Sequence, residues 1–409
     1  MPFLTMNALA GAGLMARRAW IHRIDRDGLY GSDHHMLVWA KENDVRAWCM
    51  FTIAFDAEVG ADWDAIQAQI VENVEQDMVR EDSDFRRGVD MEAERFIFHR
   101  DICAADIIDQ VDDDIAFYTV QDTERRRELV LRFHTGRAEM AVVFDHTVWD
   151  GARVVNEIVH KAIESKPFAS RWLLKESYIP VGSEVLQLYT AWRMAFRRFR
   201  HRPMPPLEEG SNLMVFDHRL KLADIKAFKN REGVGFTPSL VAHWADHLFR
   251  CTGPARKKIR FGLLVACASP RHRNNYSVML VDVHRHHTKA QTAKSVARQL
   301  KSRAIEVLPM YQLLCNVDVQ SMFKQNLVDC LFSPGPFEMG TGPSQRVKTM
   351  SFFAVPSTCP IYAFACTIGE EIAISCTWNA AEISPEALGR GAAQAVEYTD
   401  KAIAVSVRR

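Results

Sequence analysis

The sequence predicts a mixed α/β protein. Three observations carry this expectation. Apolar, β-rich runs alternate with amphipathic segments at helical spacing along the chain. The alternation occurs in two rounds, separated by a proline-broken stretch. At 409 residues and 48% hydrophobic content, the chain can bury sizeable cores in two domains or one large double one. We therefore expect a half at 1–185, a linker or crossover at 186–212 and a second half at 213–409.

In the first half, Arg46–Phe55 is apolar and reads as a strand. Asp62–Met78 sets Trp63, Ile66, Ile70 and Val74 near helical spacing. Glu94–His99 reads as a strand, and the acidic stretch 105–114 as a solvated loop. Two apolar runs, Leu129–His134 and Ala138–Phe144, flank a turn over Thr135, Gly136 and Arg137. The following segment, Gly151–Ser165, places Val154, Val155, Ile158, Val159 and Ile163 on one face of a helix.

Residues 180–212 read as the crossover. Five arginines lie between Arg193 and Arg202, followed by Pro203, Pro205 and Pro206, a strong break. The basic run reads as a solvated helix face; contacts with nucleotide phosphates, an acidic partner or a membrane are the sharper alternatives. In the second half, Leu213–Arg219 is a short strand, and Leu222–Glu232 and Thr237–Arg250 are helices. Lys258–Ala268 is a central strand by its continuous apolar run. Thr288–Val307 is a long helix. Cys330–Ser333, Arg346–Val355, Ile361–Thr367 and Ile372–Trp378 are strands, and Pro385–Val405 is a closing helix.

The formal net charge is zero, so the bulk charge gives no reason to expect a nucleic-acid partner. The nine cysteines show no C-x-x-C spacing and read as reduced, mostly buried thiols of a cytoplasmic protein. No Cys/His pair has zinc-ligand spacing, and no metal site is expected. The histidine clusters His34-His35 and His284, His286 and His287 read as exposed or satisfied side chains. No uncharged apolar run is long enough for an integral membrane span. Pro2–Met15 is apolar and ends in Arg17-Arg18, the wrong charge order for a signal peptide. It reads as a disordered or surface-packed arm, with weak membrane association as the minority alternative.

The chemistry-bearing stretch is Asp145-His146-Thr147-Val148-Trp149-Asp150-Gly151. A histidine stands where a strand stops, on a loop that turns into a helix. Such loops are held by their scaffold and often carry catalytic groups. A histidine there can act as a general base near neutral pH.

This H-x-x-x-D-G in its strand–loop–helix setting resembles the acyl-CoA-dependent acyltransferase superfamily, which includes chloramphenicol acetyltransferase, BAHD enzymes and the condensation domains of peptide synthetases. The front histidine of the motif is replaced by Asp145. The D-F-G-W-G signature of BAHD enzymes has only a distant counterpart at Phe337–Pro343, and Ser333-Pro334-Gly335 matches a family turn imperfectly. The resemblance covers roughly residues 45–405.

It implies two chloramphenicol-acetyltransferase-like halves with a tunnel between them and the motif histidine mid-tunnel. It implies acyl transfer from acyl-CoA, a co-substrate with no bound cofactor, to a hydroxyl or amine of a small-molecule acceptor, as in secondary-metabolite or lipid tailoring. His146 would be the base, with no covalent acyl-enzyme. Asp150 would pair with an arginine to hold the loop, with Arg271 preferred and Arg86 or Arg87 as alternatives. Gly151 would serve the turn and leave room for the pantetheine arm. Trp149 would wall the acceptor tunnel or pack in the core. Ser375, Thr377 or Asn379 would hold the oxyanion or pack. Alternatives are a condensation-type catalyst with an acyl carrier protein as partner, a non-catalytic scaffold of the same fold, and a membrane-bound wax- or glyceride-forming enzyme.

Overall fold

A computed structural model describes residues 48–93, 95–118, 127–165, 174–175, 212–252, 254–268, 276–316, 328–334, 338–339, 346–354, 361–379, 394–399 and 402–406. The first strand, β1 (Trp48–Phe55), leads into helix α1 (Ala61–Met78). Gly60 precedes the helix at φ 114°, a conformation side chains disfavour. The buried face of α1 carries Trp63, Gln67, Ile70, Val74 and Met78, the expected helical spacing. The Trp63 indole N–H donates to the His134 carbonyl at 2.9 Å.

A short hairpin follows, β2 (Arg87–Asp90) with β3 (Arg95–Phe98). The acidic stretch expected as a loop instead holds β4 (Ile108–Val111), parallel to β5 (Leu129–His134). Helix α2 (Asp114–Tyr118) lies between them in sequence. Strands β5 and β6 (Glu139–Asp145) form the expected antiparallel hairpin. All six residues of β5 are buried, so its apolar run is covered on both faces.

The helix over 151–164, α3, starts as Gly151–Arg153, passes through a π-helical segment Val154–Val159 and closes as His160–Glu164. Its buried face holds Val154, Val155, Ile158, Val159 and Ile163, as the spacing predicts. A two-residue strand, β7 (Leu174–Lys175), comes next.

The second half opens with β8 (Asn212–Lys221), helices α4 (Leu222–Glu232) and α5 (Phe236–Cys251), and β9 (Lys258–Ala268). An unexpected strand, β10 (Tyr276–His284), pairs antiparallel with β9. Helix α6 (Lys289–Asn316) packs on α5 and β10. The Gln299 amide of α6 both accepts from Asp282 N (3.0 Å) and donates to Asp282 O (2.8 Å), covering backbone groups on β10.

The remaining strands are β11 (Cys330–Ser333), β12 (Glu338–Met339), β13 (Val347–Ala354), β14 (Ile361–Ile368), β15 (Glu371–Asn379), β16 (Gln394–Thr399) and β17 (Ala402–Ser406). The closing helix expected at Pro385–Val405 is replaced by the β16–β17 hairpin, whose first strand pairs with β8. Val396 and Tyr398 alternate in β16, and Ile403 and Val405 in β17, so period two prevails over period 3.6.

These strands build two main sheets. The first runs β13-β1-β6-β5-β4. The second follows the path β10-β9-β11-β14-β15-β8-β16-β17. Strand β13 therefore lies late in the chain but in the first half's sheet, paired antiparallel with β1. It also packs on β14 and β15. The Ser375 hydroxyl of β15 accepts the Phe352 N–H at 2.9 Å, tying the sheets together. Phe51, Phe144, Phe352 and Phe364 meet at this junction. Phe51 lies 5.7 Å from Phe144, 4.8 Å from Phe352 and 5.2 Å from Phe364, ring centre to ring centre.

Candidate active site

The loop 146–150 leaves the end of β6 beside the aromatic junction. The Phe144 ring is 6.3 Å from the His146 ring. On the far side of the loop, a Cβ added at Gly151 would meet Phe51 Cζ at 3.5 Å. The loop thus sits against Phe144 of β6 and Phe51 of β1, neighbouring strands of the first sheet.

Asp145 organises the turn. It is fully buried, and its N–H donates to the Glu128 carbonyl at 2.8 Å. Its carbonyl accepts from Val148 N (3.0 Å) and Trp149 N (3.2 Å), and its carboxylate accepts from Thr147 N (2.8 Å). Asp145 therefore builds a side-chain-to-backbone turn. Thr147, Val148 and Trp149 are inaccessible, and Asp150 is nearly so. His146 is the half-buried member of the loop, with Nδ1 turned into the protein.

Asp150 is the N-cap of α3. Its Oδ1 accepts from Arg153 N at 2.7 Å, and its carbonyl accepts from Val154 N. Of the arginines considered for it, Arg271 lies outside the described residues. Arg86 donates to the carbonyls of Met78 (2.9 Å), His99 (3.3 Å) and Arg100 (2.6 Å). The Arg87 guanidinium lies 5.9 Å from the Trp149 ring and 3.3 Å from Asp84. Asp84 also takes Lys161 of α3 at 2.7 Å, so an ion-pair network fastens the helix behind the loop.

The expectation that the turn at Gly151 needs glycine changes. The φ of Gly151 is not among the positive values, and the Cβ contact at 3.5 Å is ordinary van der Waals distance. Neither the turn nor the surrounding protein requires glycine here. Trp149 lies in the first core cluster, fully buried. Ser375 is not on the loop: it stands on β15, with its oxygen engaged by β13. Asn379 is the last residue of β15, opposite Leu213, and Thr377 lies opposite Val215. The side chains of both fall outside the described residues. The structure therefore brings His146, Trp149, Asp150 and Gly151 together and holds Ser375 on another strand. Met339 and Glu338 form β12; the rest of Phe337–Pro343, and the arginine-rich 193–202 run, lie outside the described residues.

Other candidate groups are otherwise engaged. His134 donates from Nε2 to Asp114 (3.0 Å) and accepts at Nδ1 from Gly136 N (2.9 Å), so both ring nitrogens are occupied. Burial, with the charge of Asp145, pushes the Cys49 thiol well up, which keeps it protonated and non-nucleophilic. Among the described residues, no group of three or more His, Cys, Asp or Glu is arranged to hold a metal ion. No helix among them is long and apolar enough to cross a membrane.

No family model and no curated protein matches the sequence. Solved structures do match. One is a wax ester synthase/diacylglycerol acyltransferase from Marinobacter aquaeolei VT8, with TM-score 0.56 and 11% identity over 89% of this chain and 97% of that one. Another is polyketide synthase associated protein 5 from Mycobacterium tuberculosis, with TM-score 0.54 and 13% identity over 88% and 96%. A third is the condensation domain from the monacolin K polyketide synthase MokA, with TM-score 0.52 and 11% identity over 88% and 94%. At these identities the likeness is one of fold. The chain has the mixed α/β architecture of condensation domains and wax ester synthase-type acyltransferases, the chloramphenicol acetyltransferase-like fold.

Proposed function

We propose that this chain is an acyltransferase that moves an acyl group from a thioester donor, acyl-CoA in the first instance, to a hydroxyl or amine of a small molecule. The observation that carries the reading is His146: a half-buried imidazole at a strand end, on a loop whose other residues are buried, in a fold shared with acyltransferases. Its Nδ1 is buried in the protein, and we assign Nε2 as the nitrogen that meets the acceptor.

In this reaction Nε2 takes the acceptor's proton as its oxygen or nitrogen attacks the thioester carbonyl. The tetrahedral intermediate collapses with loss of the thiolate, and the imidazolium returns the proton to that sulfur. No protein nucleophile forms a bond. General-base action of this kind contributes about 10²–10⁴-fold. The Asp145 turn and the Asp150 cap hold the ring in place, and orientation is itself worth several kcal/mol.

A second reading keeps the same base and replaces CoA by a carrier protein. The likeness to a polyketide synthase condensation domain favours it. Thiol release from a panel of acyl-CoAs and from an acylated carrier protein tests both, with wild type and His146→Ala compared and the chain's own thiols subtracted. His146-dependent release identifies the donor. Equal release by both proteins, or none from any donor, overturns acyl transfer and leaves the fold as a binding scaffold.

A further inference from the structure

The loop bearing His146 hangs from Glu128, and Glu128 is held by an unusual arrangement. Its carbonyl accepts the Asp145 N–H at 2.8 Å, the backbone bond just before His146. Its carboxylate is almost fully buried and lies 2.7 Å from His99 Nε2, a short charge-assisted contact. His99 follows β3 and is itself fixed. Its N–H donates to the Arg86 carbonyl at 2.8 Å, and its carbonyl accepts from Arg86 Nη1 at 3.3 Å.

The pair occupies the space where a side chain at position 88 would be. A Cβ on Gly88 would lie 2.2 Å from His99 Nε2 and 2.9 Å from Glu128 Oε2. Gly88 has no positive φ, so space and not backbone conformation makes it glycine. Any larger residue on β2 must displace the imidazole or the carboxylate. A buried carboxylate that loses its partner must find another or leave the interior. The carbonyl that anchors Asp145 belongs to this same residue, so a displacement of Glu128 is passed to the loop.

We propose that Gly88, His99 and Glu128 form a positioning device for His146, acting through the Glu128 carbonyl and the Asp145 turn from outside the reacting atoms. Its effect on turnover rests on the acyl-transfer reading; its effect on the loop does not. The test uses the full chain as wild type, Gly88→Ala, His99→Ala, the Gly88→Ala/His99→Ala double variant and Glu128→Gln. Two properties are measured: the kcat and KM of acyl transfer, and the rate at which diethyl pyrocarbonate modifies His146, followed by peptide mass spectrometry. Circular dichroism checks that each variant is folded.

Gly88→Ala and His99→Ala are each expected to lower kcat by about 10–100-fold with little change in KM, the loss that a small misplacement of a catalytic group produces. Both are expected to change the His146 modification rate. The double variant is expected to be no worse than either single one, because the added Cβ then meets no ring. Glu128→Gln keeps a hydrogen-bonding oxygen in place and is expected to stay within about threefold of wild type.

Unchanged kcat and an unchanged modification rate in folded Gly88→Ala or His99→Ala would overturn the proposal. So would a double variant whose losses simply add. If wild type transfers no acyl group but the modification rate still shifts, the device stands and the acyl-transfer reading falls.

Discussion

Asp145 is a buried turn-former that holds three N–H groups of the loop through its carbonyl and carboxylate. Asp150 does the same for the start of α3. Asp150→Ala is therefore expected to cost about 1 kcal/mol in urea unfolding, and Asp150→Asn, which can still cap, much less. Equal losses for the two would show that charge and not capping matters. Ser375→Ala should leave the buried Phe352 N–H without an acceptor, at a cost of about 1–3 kcal/mol. Retention of full stability would remove Ser375 from the junction. The strand end before His146 and the helix after it were legible in the sequence, whereas Asp150 was expected to pair with an arginine and not to cap that helix. The work of Ser375, Gly88 and Glu128 was not legible, because each acts on a residue at least 11 positions away that only the tertiary fold brings near.

At the scale of elements, most strands and helices were legible from their periods. Among those that were not, β4, β10 and the C-terminal hairpin share a cause. The β4 segment is short and acidic, β10 mixes Tyr276, Met279 and Asp282 among its apolar residues, and the C-terminal hairpin spaces its alanines at intervals that also suit a helix. In each, pairing with a neighbour strand decided what local pattern left open.

The packing of α5 on β8 has a consequence for acid stability. The His218 and His247 rings stack at 4.2 Å, with Trp244 beside them. Burial, then His247, Arg250, His243 and Lys289, lower His218 from 6.5 to about 4. Burial and Arg250 lower His247 from 6.5 to about 4, against the pull of Asp246. Both rings are therefore neutral in the native protein across a range where the unfolded chain takes up protons. Their contribution is intact above about 6.5 and declines as the pH falls towards 4. The thermal midpoint should drop between pH 7 and pH 5, and His247→Gln should drop less. An equal drop in both proteins would assign the acid sensitivity elsewhere.

For the whole molecule, the decisive feature is that the two sheets meet where β13 of the first packs on β14 and β15 of the second, around a common aromatic cluster. Phe352 touches Phe51 of the first sheet and Phe364 and Tyr362 of the second. Phe352→Ala is expected to cost about 3–5 kcal/mol, as large-to-small changes in cores do. It should weaken both halves together, so tryptophan fluorescence and far-ultraviolet circular dichroism should report one coincident transition in wild type and variant. Two separated transitions would show that the halves unfold independently. The return of a late strand to an early sheet is not readable from the sequence, since β13 resembles any other apolar strand.

That return also has a schedule. About 300 residues separate β1 from its partner β13. At about 5–20 residues per second, a ribosome needs roughly 15–60 s to make that stretch. For this interval the outer edge of β1 and the ring of Phe51 face the solvent without their later neighbours. Soluble yield should therefore depend on elongation speed and chaperone supply, and slowing synthesis should lengthen the exposure it is usually meant to relieve.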